Sequence, residues 1–514
     1  MAEFIQNSDT QSSLKESEDC STSLNEGNAF SASPKKNKSN IRWQIGLETD
    51  IGGGKENQDE CFVWMQRATA IHERVAVLCV LDGHGKEVGR VAAMAAKSCL
   101  FHFLDNNYSE LLRADSERDM AAVSSFLVNA HKAAHEQIRR SFQEELEAVG
   151  YEVRSSLSFA FPADSSADGA VVREADPLAA YLLKRRPPSS LWSCVHGGSS
   201  CTLVAVIGSR VYIGNVGDSS ALLCAAHPCL GPGLLTRLVD AADHPGLRDG
   251  DRDSKPGGPI PEAPLSTVLV LTAEHSPESP SEFRRLRRLF PRQGDASRPA
   301  LAMVYDSCNS GGQEKSPCNN VFEQDADGSP VVTNNGSYYK NVRKEWASMV
   351  STPSYARFQD ALAFTRSLGD LHLQAYGVTH LPEVSLLDLQ PVFETLHRLH
   401  QQRQQQLLSG EQPLDEQAFT RAAIESAACS TLCLVLASDG VWDNWLYEDV
   451  ARFVADPSCL SAVWEHSGGA RRVTSSFMQR NALYAKRNFG AQADNATGIL
   501  MFISTSEDFP DQAM

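Results

Sequence analysis

Six short apolar runs constrain this chain more than any other feature. VAVLCVLD (75–82), TLVAVIG (202–208), RVYIGNVG (210–217), STVLVLT (266–272), TLCLVLAS (431–438) and GILMFIS (498–504) are rich in β-branched residues and bounded by Gly, Asp or Ser. Runs of this length are too short for membrane spans and read as buried strands. Between them, Lys86–Leu104, Ala121–Val149, Leu446–Val454 and Arg471–Asn488 carry apolar residues at helical spacing with charge on the other face. The mixture predicts an α+β protein, its sheets covered by helices.

The rhythm breaks in several places. Residues 1–40 form a Ser-rich stretch with few large apolar residues and a basic patch at Lys35, Lys36 and Lys38, and read as a disordered tail. Residues 150–196, 225–264, 291–350 and 391–428 are rich in Pro, Gly, Ser, Asp or Gln and read as insertions into one domain that spans 41–505. Residues 506–514 read as a short C-terminal tail.

Charge narrows the function classes. With 64 acidic against 47 basic residues the formal charge is −17, which argues against a nucleic-acid binder and against docking to an anionic membrane. No apolar stretch is long enough to span a bilayer, and the first residues lack the apolar core of a signal peptide. The 13 cysteines lie mostly in apolar runs without a Cys-x-x-Cys pair, as expected for reduced core residues of a cytoplasmic or nuclear protein. The Cys224–Cys229 stretch CAAHPC reads as loop composition rather than a metal site.

The chemistry concentrates in acids at strand ends. VAVLCVL runs into Asp82-Gly83-His84-Gly85, and TLCLVLAS runs into Asp439-Gly440. An acid at the end of a buried strand is held rigidly, and the glycine after it lets the backbone approach whatever the acid binds. Asp59 and Asp494 flank strands in a comparable way. If the four converge, their mutual repulsion must be compensated, and two divalent cations would balance it. Oxygen ligands without His or Cys point to Mg2+ or Mn2+. Such a pair can clamp a phosphate and activate a water.

In the order KENQDE, VLDGHG, GGSSCTLVAVI, NVGDSSALL, LTAEHSP, FTRSLGD, LPEV, LASDGVWD and DNATGIL, segments from Lys55 to Ile503 resemble the PP2C (PPM) family of metal-dependent protein serine/threonine phosphatases. The resemblance implies a central β-sandwich of two antiparallel sheets flanked by α-helices, a four-layer αββα arrangement, with two metals at one end and a possible third, weaker site. It implies Asp82 bridging both metals, a Gly83 carbonyl on one, Asp439 and Asp494 on the other, and Asp59 at the centre directly or through water. His84 resembles the general acid for the leaving seryl or threonyl oxygen. Asp218, Asp370 and Asp443 match acids that support water networks or the weaker metal, and Thr202 and Arg366 match positions that shape the domain. The implied substrates are phosphoproteins, hydrolysed by a water activated between two metals with no covalent phosphoenzyme, and the expected form is a monomer.

The chain departs from that pattern. Gln58 stands where many members have Glu, and Lys55 is the candidate for a phosphate-anchoring Arg that is absent upstream. Glu274-His275 replaces an Asp-His, and residues 291–350 lengthen the region of a substrate-facing flap. In EFRRLRRLF, Arg284, Arg285, Arg287 and Arg288 are read as the wet face of a helix whose Phe283, Leu286 and Leu289 or Phe290 face inward. GGGKE lacks the spacing of a nucleotide loop, and the bulky residues between Cys61 and Arg67 suit a strand rather than a phosphate loop. Two rivals are weighed: a silent relative that binds phosphoproteins, which has no need of the intact acids, and a two-metal nuclease, which the charge disfavours.

Overall fold

A computed structural model describes residues 41–66, 74–157, 180–238, 264–273, 275–306, 318–408 and 424–505. The expected tails at 1–40 and 506–514, and much of the 225–264 insertion, lie outside the described residues. Eleven strands form two antiparallel sheets. They are β1 (Arg42–Asp50), β2 (Glu60–Gln66), β3 (Val75–Leu81), β4 (Cys201–Ile207), β5 (Arg210–Val216), β6 (Ser220–Ala225), β7 (Leu235–Leu238), β8 (Val268–Val270), β9 (Glu383–Asp388), β10 (Thr431–Ala437) and β11 (Ala496–Ser504). One sheet has the order β1-β11-β10-β6-β8, and the other β7-β9-β5-β4-β3-β2.

The apolar runs lack an alternating pattern because both of their faces are covered. Every residue of β3 is buried. Ala76, Leu78 and Val80 pack with Leu432, Leu434 and Leu436 of β10 and Ile499, Met501 and Ile503 of β11, in a core made by both sheets. The alternate residues Val75, Val77, Cys79 and Leu81 pack with α1 (Gly89–Glu117) and α2 (Met120–Ala148). On the other sheet, Cys433, Val435, Leu500 and Phe502 pack with α5 (Tyr447–Val454), α6 (Pro457–Glu465) and α7 (Gly469–Asn488). The buried cysteines Cys79, Cys201, Cys224 and Cys433 carry no disulfide. No helix among the described residues is long and apolar enough to cross a membrane.

The structure departs from the sequence reading in instructive places. Helix α1 continues to Glu117, because Leu111, Leu112 and Ala114 keep a buried stripe under the polar segment DNNYSELLRADS. Of STVLVLT only Val268–Val270 forms a strand. The insertions carry structure of their own: 150–196 contains a three-stranded sheet, 291–350 holds several short strands, and 391–428 opens with α4 (Gln390–Leu408).

Arg285 overturns part of the expected wet face on α3 (Pro280–Leu289). Arg284 is exposed, but Arg285 is buried beside Phe283 and Leu286. Its guanidinium donates to Glu282 Oε2 (2.9 Å), Gly377 O (2.9 Å) and Thr365 O (3.1 Å). Glu282 also accepts from Arg366 at 2.7 Å and from Thr365 Oγ1 at 2.7 Å. Burial alone would raise the Glu282 pKa, but the two guanidiniums hold it well below the ordinary carboxylate range. A helical period identifies a face, but it cannot foresee that a charge on the apolar side has a partner one turn away. Replacing Glu282 by Gln leaves two buried guanidiniums short of charge. We expect urea denaturation to show a loss of about 3–5 kcal/mol, and an unchanged midpoint would refute the pairing.

Candidate active site

The candidate site lies where strand ends and loops meet. Asp82 follows β3, and its backbone is clamped by Ser200, whose N–H donates to Asp82 O (2.8 Å) while Ser200 Oγ accepts from Asp82 N (3.2 Å). Asp59 precedes β2 and accepts from Ser438 Oγ at 2.7 Å. Asp439 opens a single helical turn, Asp439–Trp442, after β10. Asp218 follows the β5 end at Gly217, which takes a positive φ of 95° against Ser200. Asp494 precedes β11 and is the most exposed of these acids. Asn495 beside it fastens the 51–58 loop, donating to Ile51 O (2.8 Å) and Glu56 O (3.1 Å) and accepting from Gln58 N (2.8 Å).

Carboxylate oxygens of Asp82, Asp218 and Asp439 lie within 4.8 Å of one another. Asp59 Oδ1 and Asp218 Oδ1 are buried with no hydrogen-bond partner among the described residues. Burial first, then Asp439 and the other acids, pushes Asp82 well above the carboxylate range. Asp59 is raised to about 7, chiefly by burial, with Asp439 and Asp494 adding to it. Asp494 is raised to about 6 by loss of water and by Asp439. Burial and Asp439 likewise raise Asp443 to about 7. Crowded, desolvated and partly orphaned oxygens are a donor set suited to hard divalent cations.

A second constellation lies beside the first. Gly83-His84, Gly198-Ser199 and Leu368-Gly369 pair as a small three-stranded sheet, which draws three distant loops together. His84 Nε2 thereby reaches Asp370 Oδ2 at 2.7 Å. The same oxygen accepts from Ser367 Oγ at 2.5 Å, and Phe364 packs edge-on against the imidazole with centroids 5.2 Å apart. Burial opposes a charge on His84, but Asp370, by its charge and its hydrogen bond, raises the imidazole above its ordinary pKa. Gly83 is required by close approach, since a Cβ there would meet Gly89 O at 2.4 Å and Gln58 O at 2.6 Å.

The remaining candidates fall into place by geometry. Thr202 Oγ1 donates to Asn215 Oδ1 at 2.6 Å and to Ser219 O at 3.1 Å, deep in the core below the acids. Arg366 lies in the Glu282 pair described above and also donates to Leu381 O (3.2 Å). Gln58 donates from Nε2 to Gly85 O at 3.1 Å, a bond that an ionised carboxylate at this position could not make. Lys55 is exposed in its loop. His275 is buried, its Nδ1 against Gly217 O at 3.2 Å, whereas Glu274 lies outside the described residues. The CAAHPC stretch contributes to a cluster that its spacing does not reveal: Cys224 is buried in β6, whereas His227 gathers with Glu425 and Cys429, their ligand atoms within 4.8 Å of one another, and also faces Arg403 (3.1 Å).

Lys340 is the functional candidate that sequence reasoning missed. It comes from the 291–350 insertion and lines a cavity of about 280 Å3 with Asp218, Asp439 and Arg343. Burial works against its charge, but Asp218, Asp443 and Asp439 outweigh it and raise the ammonium above its ordinary pKa. No motif marks this lysine; only an odd polar insertion in front of FTRSLGD drew notice to the segment.

Residues 90–229 match the family model described as Protein phosphatase 2C. None of the curated proteins matches the sequence. A serine-threonine phosphatase 2C from Toxoplasma gondii is similar in structure, with a TM-score of 0.45 and 14% identity over 90% of this chain and 95% of that one. A C. elegans sex determining protein has a TM-score of 0.42 and 12% identity, covering 89% of this chain and 64% of that one. An S. agalactiae serine/threonine phosphatase has a TM-score of 0.35 and 14% identity over 90% and 99% of the two chains. The matched segment runs from α1 past β6 and includes Thr202 and Asp218, while the other acids lie on either side of it.

The crowded acids make a prediction about metal-free protein. The unfolded carboxylates titrate near 3.8, whereas Asp59 and Asp443 titrate near 7 and Asp494 near 6 in the fold. Between those values the folded chain holds protons that the unfolded chain has released, so this contribution to stability falls as pH rises through the window. Bound cations remove that penalty. EDTA should therefore lower the Tm more at pH 8 than at pH 5.5; an equal drop at both, read by calorimetry, would count against a shared cation site.

Proposed function

We propose that this chain is a metal-dependent protein phosphatase that hydrolyses phosphoserine and phosphothreonine in proteins, with no covalent phosphoenzyme. The convergence of the Asp82, Asp218 and Asp439 carboxylates carries this reading. In it, Asp82, Asp439, Asp494 and Asp59, with the Gly83 carbonyl, hold two Mg2+ or Mn2+ ions. Bound there, the ions would supply an activated water and neutralise the phosphoryl oxygens. The four-layer αββα sandwich belongs to the same reading and is supported by the core shared between the two sheets. So do a monomeric form and a cytoplasmic or nuclear setting, which suit the unpaired buried cysteines.

The chain's own residues divide the work. His84 donates a proton to the departing seryl or threonyl oxygen, and its raised pKa keeps that proton available at neutral pH. Asp370 fixes the imidazole through Nε2, so the other ring nitrogen, Nδ1, is the one left to face a substrate. Ser367 and the αL backbone of Asp370, at φ 43°, hold that carboxylate in place. Asp218 lines the cavity beside Asp439, Asp443 N–H donates to Asp439 O at 2.7 Å, and Gln58 latches the 83–85 turn against the 51–58 loop. Thr202 and Arg366 support the loops from below. Lys55, exposed in its loop, is the candidate in this reading to anchor the substrate phosphate.

Asp82→Asn and Asp439→Asn should each reduce manganese-dependent turnover of a phosphothreonine peptide by about 100-fold or more, without a change in circular dichroism. His84→Ala should slow the peptide reaction by about 100-fold and p-nitrophenyl phosphate hydrolysis much less, since nitrophenolate leaves without a proton. Equal losses on the two substrates would remove the acid role from His84, and full activity in either Asp variant would end the phosphatase reading of this site.

A further inference from the structure

One turn of the 291–350 insertion is built into the acid cluster. Tyr339 and Trp346 form a β-bridge and stack with ring centroids 4.1 Å apart. Lys340 N–H donates to Glu345 O at 2.8 Å and Ala347 N–H to Tyr338 O at 3.3 Å, which closes a hairpin around Asn341–Lys344. Lys344 turns the chain with a φ of 60°. The hairpin is fixed to the loop that carries Asp439 and Asp443. Asn341 Nδ2 donates to Asp443 Oδ1 at 3.2 Å, and Val342 N–H donates to Asp443 O at 3.2 Å. Arg343 donates to Trp442 O, is held by Glu345 at 2.8 and 2.9 Å, and lies over the Tyr447 ring at 4.9 Å. Arg343 is therefore committed to structure, and Lys340 is the cation this hairpin delivers.

The ammonium sits among acids without being spent on one of them. It makes no ion pair within 4.0 Å with a described carboxylate, yet it lines one cavity with Asp218 and Asp439, and Asp443 is bonded to Asn341 beside it. The charge count at the centre gives this position meaning. Asp59, Asp82, Asp439, Asp494, Asp218 and Asp443 bring six carboxylates together, and two divalent ions balance four of them. The two left over, Asp218 and Asp443, are the ones this hairpin meets: Asp218 lines the cavity with Lys340, and Asp443 accepts from the neighbouring Asn341.

We propose that Lys340 is a built-in counter-ion, a fixed positive charge on the Asp218–Asp443 side that excludes a further divalent cation there and holds the centre at two ions. The inference rests on the two-ion reading above. A lysine is suited to the task because its charge is compact and its stem reaches into the cavity from a hairpin that is anchored elsewhere. The same charge would be lost if the hairpin left its dock, so ion number and hairpin position are linked.

The test is a manganese titration of the metal-free full-length chain, with free Mn2+ counted by electron paramagnetic resonance. The wild type should saturate at two ions. Lys340→Gln and Lys340→Ser should each take up about one ion more per chain, with unchanged circular dichroism, while Lys340→Arg, which keeps the charge, should stay at two. Saturation of the Gln and Ser variants at two overturns the counter-ion and leaves the two-ion reading standing. A third ion in the wild type or in Lys340→Arg overturns it as well. Fewer than two ions in the wild type overturns both readings.

Discussion

The interaction on which the molecule turns is repulsion among carboxylates brought together in a poor solvent for charge. Asp59, Asp82, Asp218 and Asp439 come from four separate stretches of chain, and burial is the largest influence on each of their pKa values. Nothing local favours that gathering, since each acid would be better solvated alone. It persists because the strands that carry the acids are locked by packing on both faces. The core therefore does more than hold the fold together: it sets like charges against one another and keeps them there.

The loops around the acids are tied by backbone bonds rather than by packing. Gly83-His84, Gly198-Ser199 and Leu368-Gly369 form a sheet too small to be stable alone, and its glycines admit backbone where a Cβ would collide. A Cβ on Gly198 would meet Leu368 O at 2.3 Å and Asp370 Oδ2 at 2.4 Å. This close stitching sets the separation of His84 and Asp370. It also couples the imidazole to the acids, because the same short strand follows directly from Asp82.

Much of this was legible in the residues, for physical reasons. Strands buried on both faces declare themselves as unbroken apolar runs, and an acid at the end of such a run lies where the strands of the sheet end. The four acids at 59, 82, 439 and 494 could be picked out on that ground. What a motif cannot carry is a partner far along the chain. Arg285 reads as solvated until Glu282, Thr365 and Gly377 are seen around it. Gln58 reads as a missing carboxylate until its amide is found donating to Gly85 O. Lys55 stands near the acids in sequence, whereas Lys340, far away in sequence, lines a cavity with two of them.

The position of Lys340 says something general about the long polar insertion. A segment with weak apolar content can order itself where it docks on structure already rigid for other reasons. Here the rigid partner is the turn Asp439–Trp442, whose carbonyls and following Asp443 give the hairpin polar atoms to grip. The docking in turn places a cation where the core has accumulated anions. Order in the insertion and charge balance at the site thus have the same cause. For that reason the composition of 291–350, read in isolation as loop, gave no sign that part of the site was contained in it.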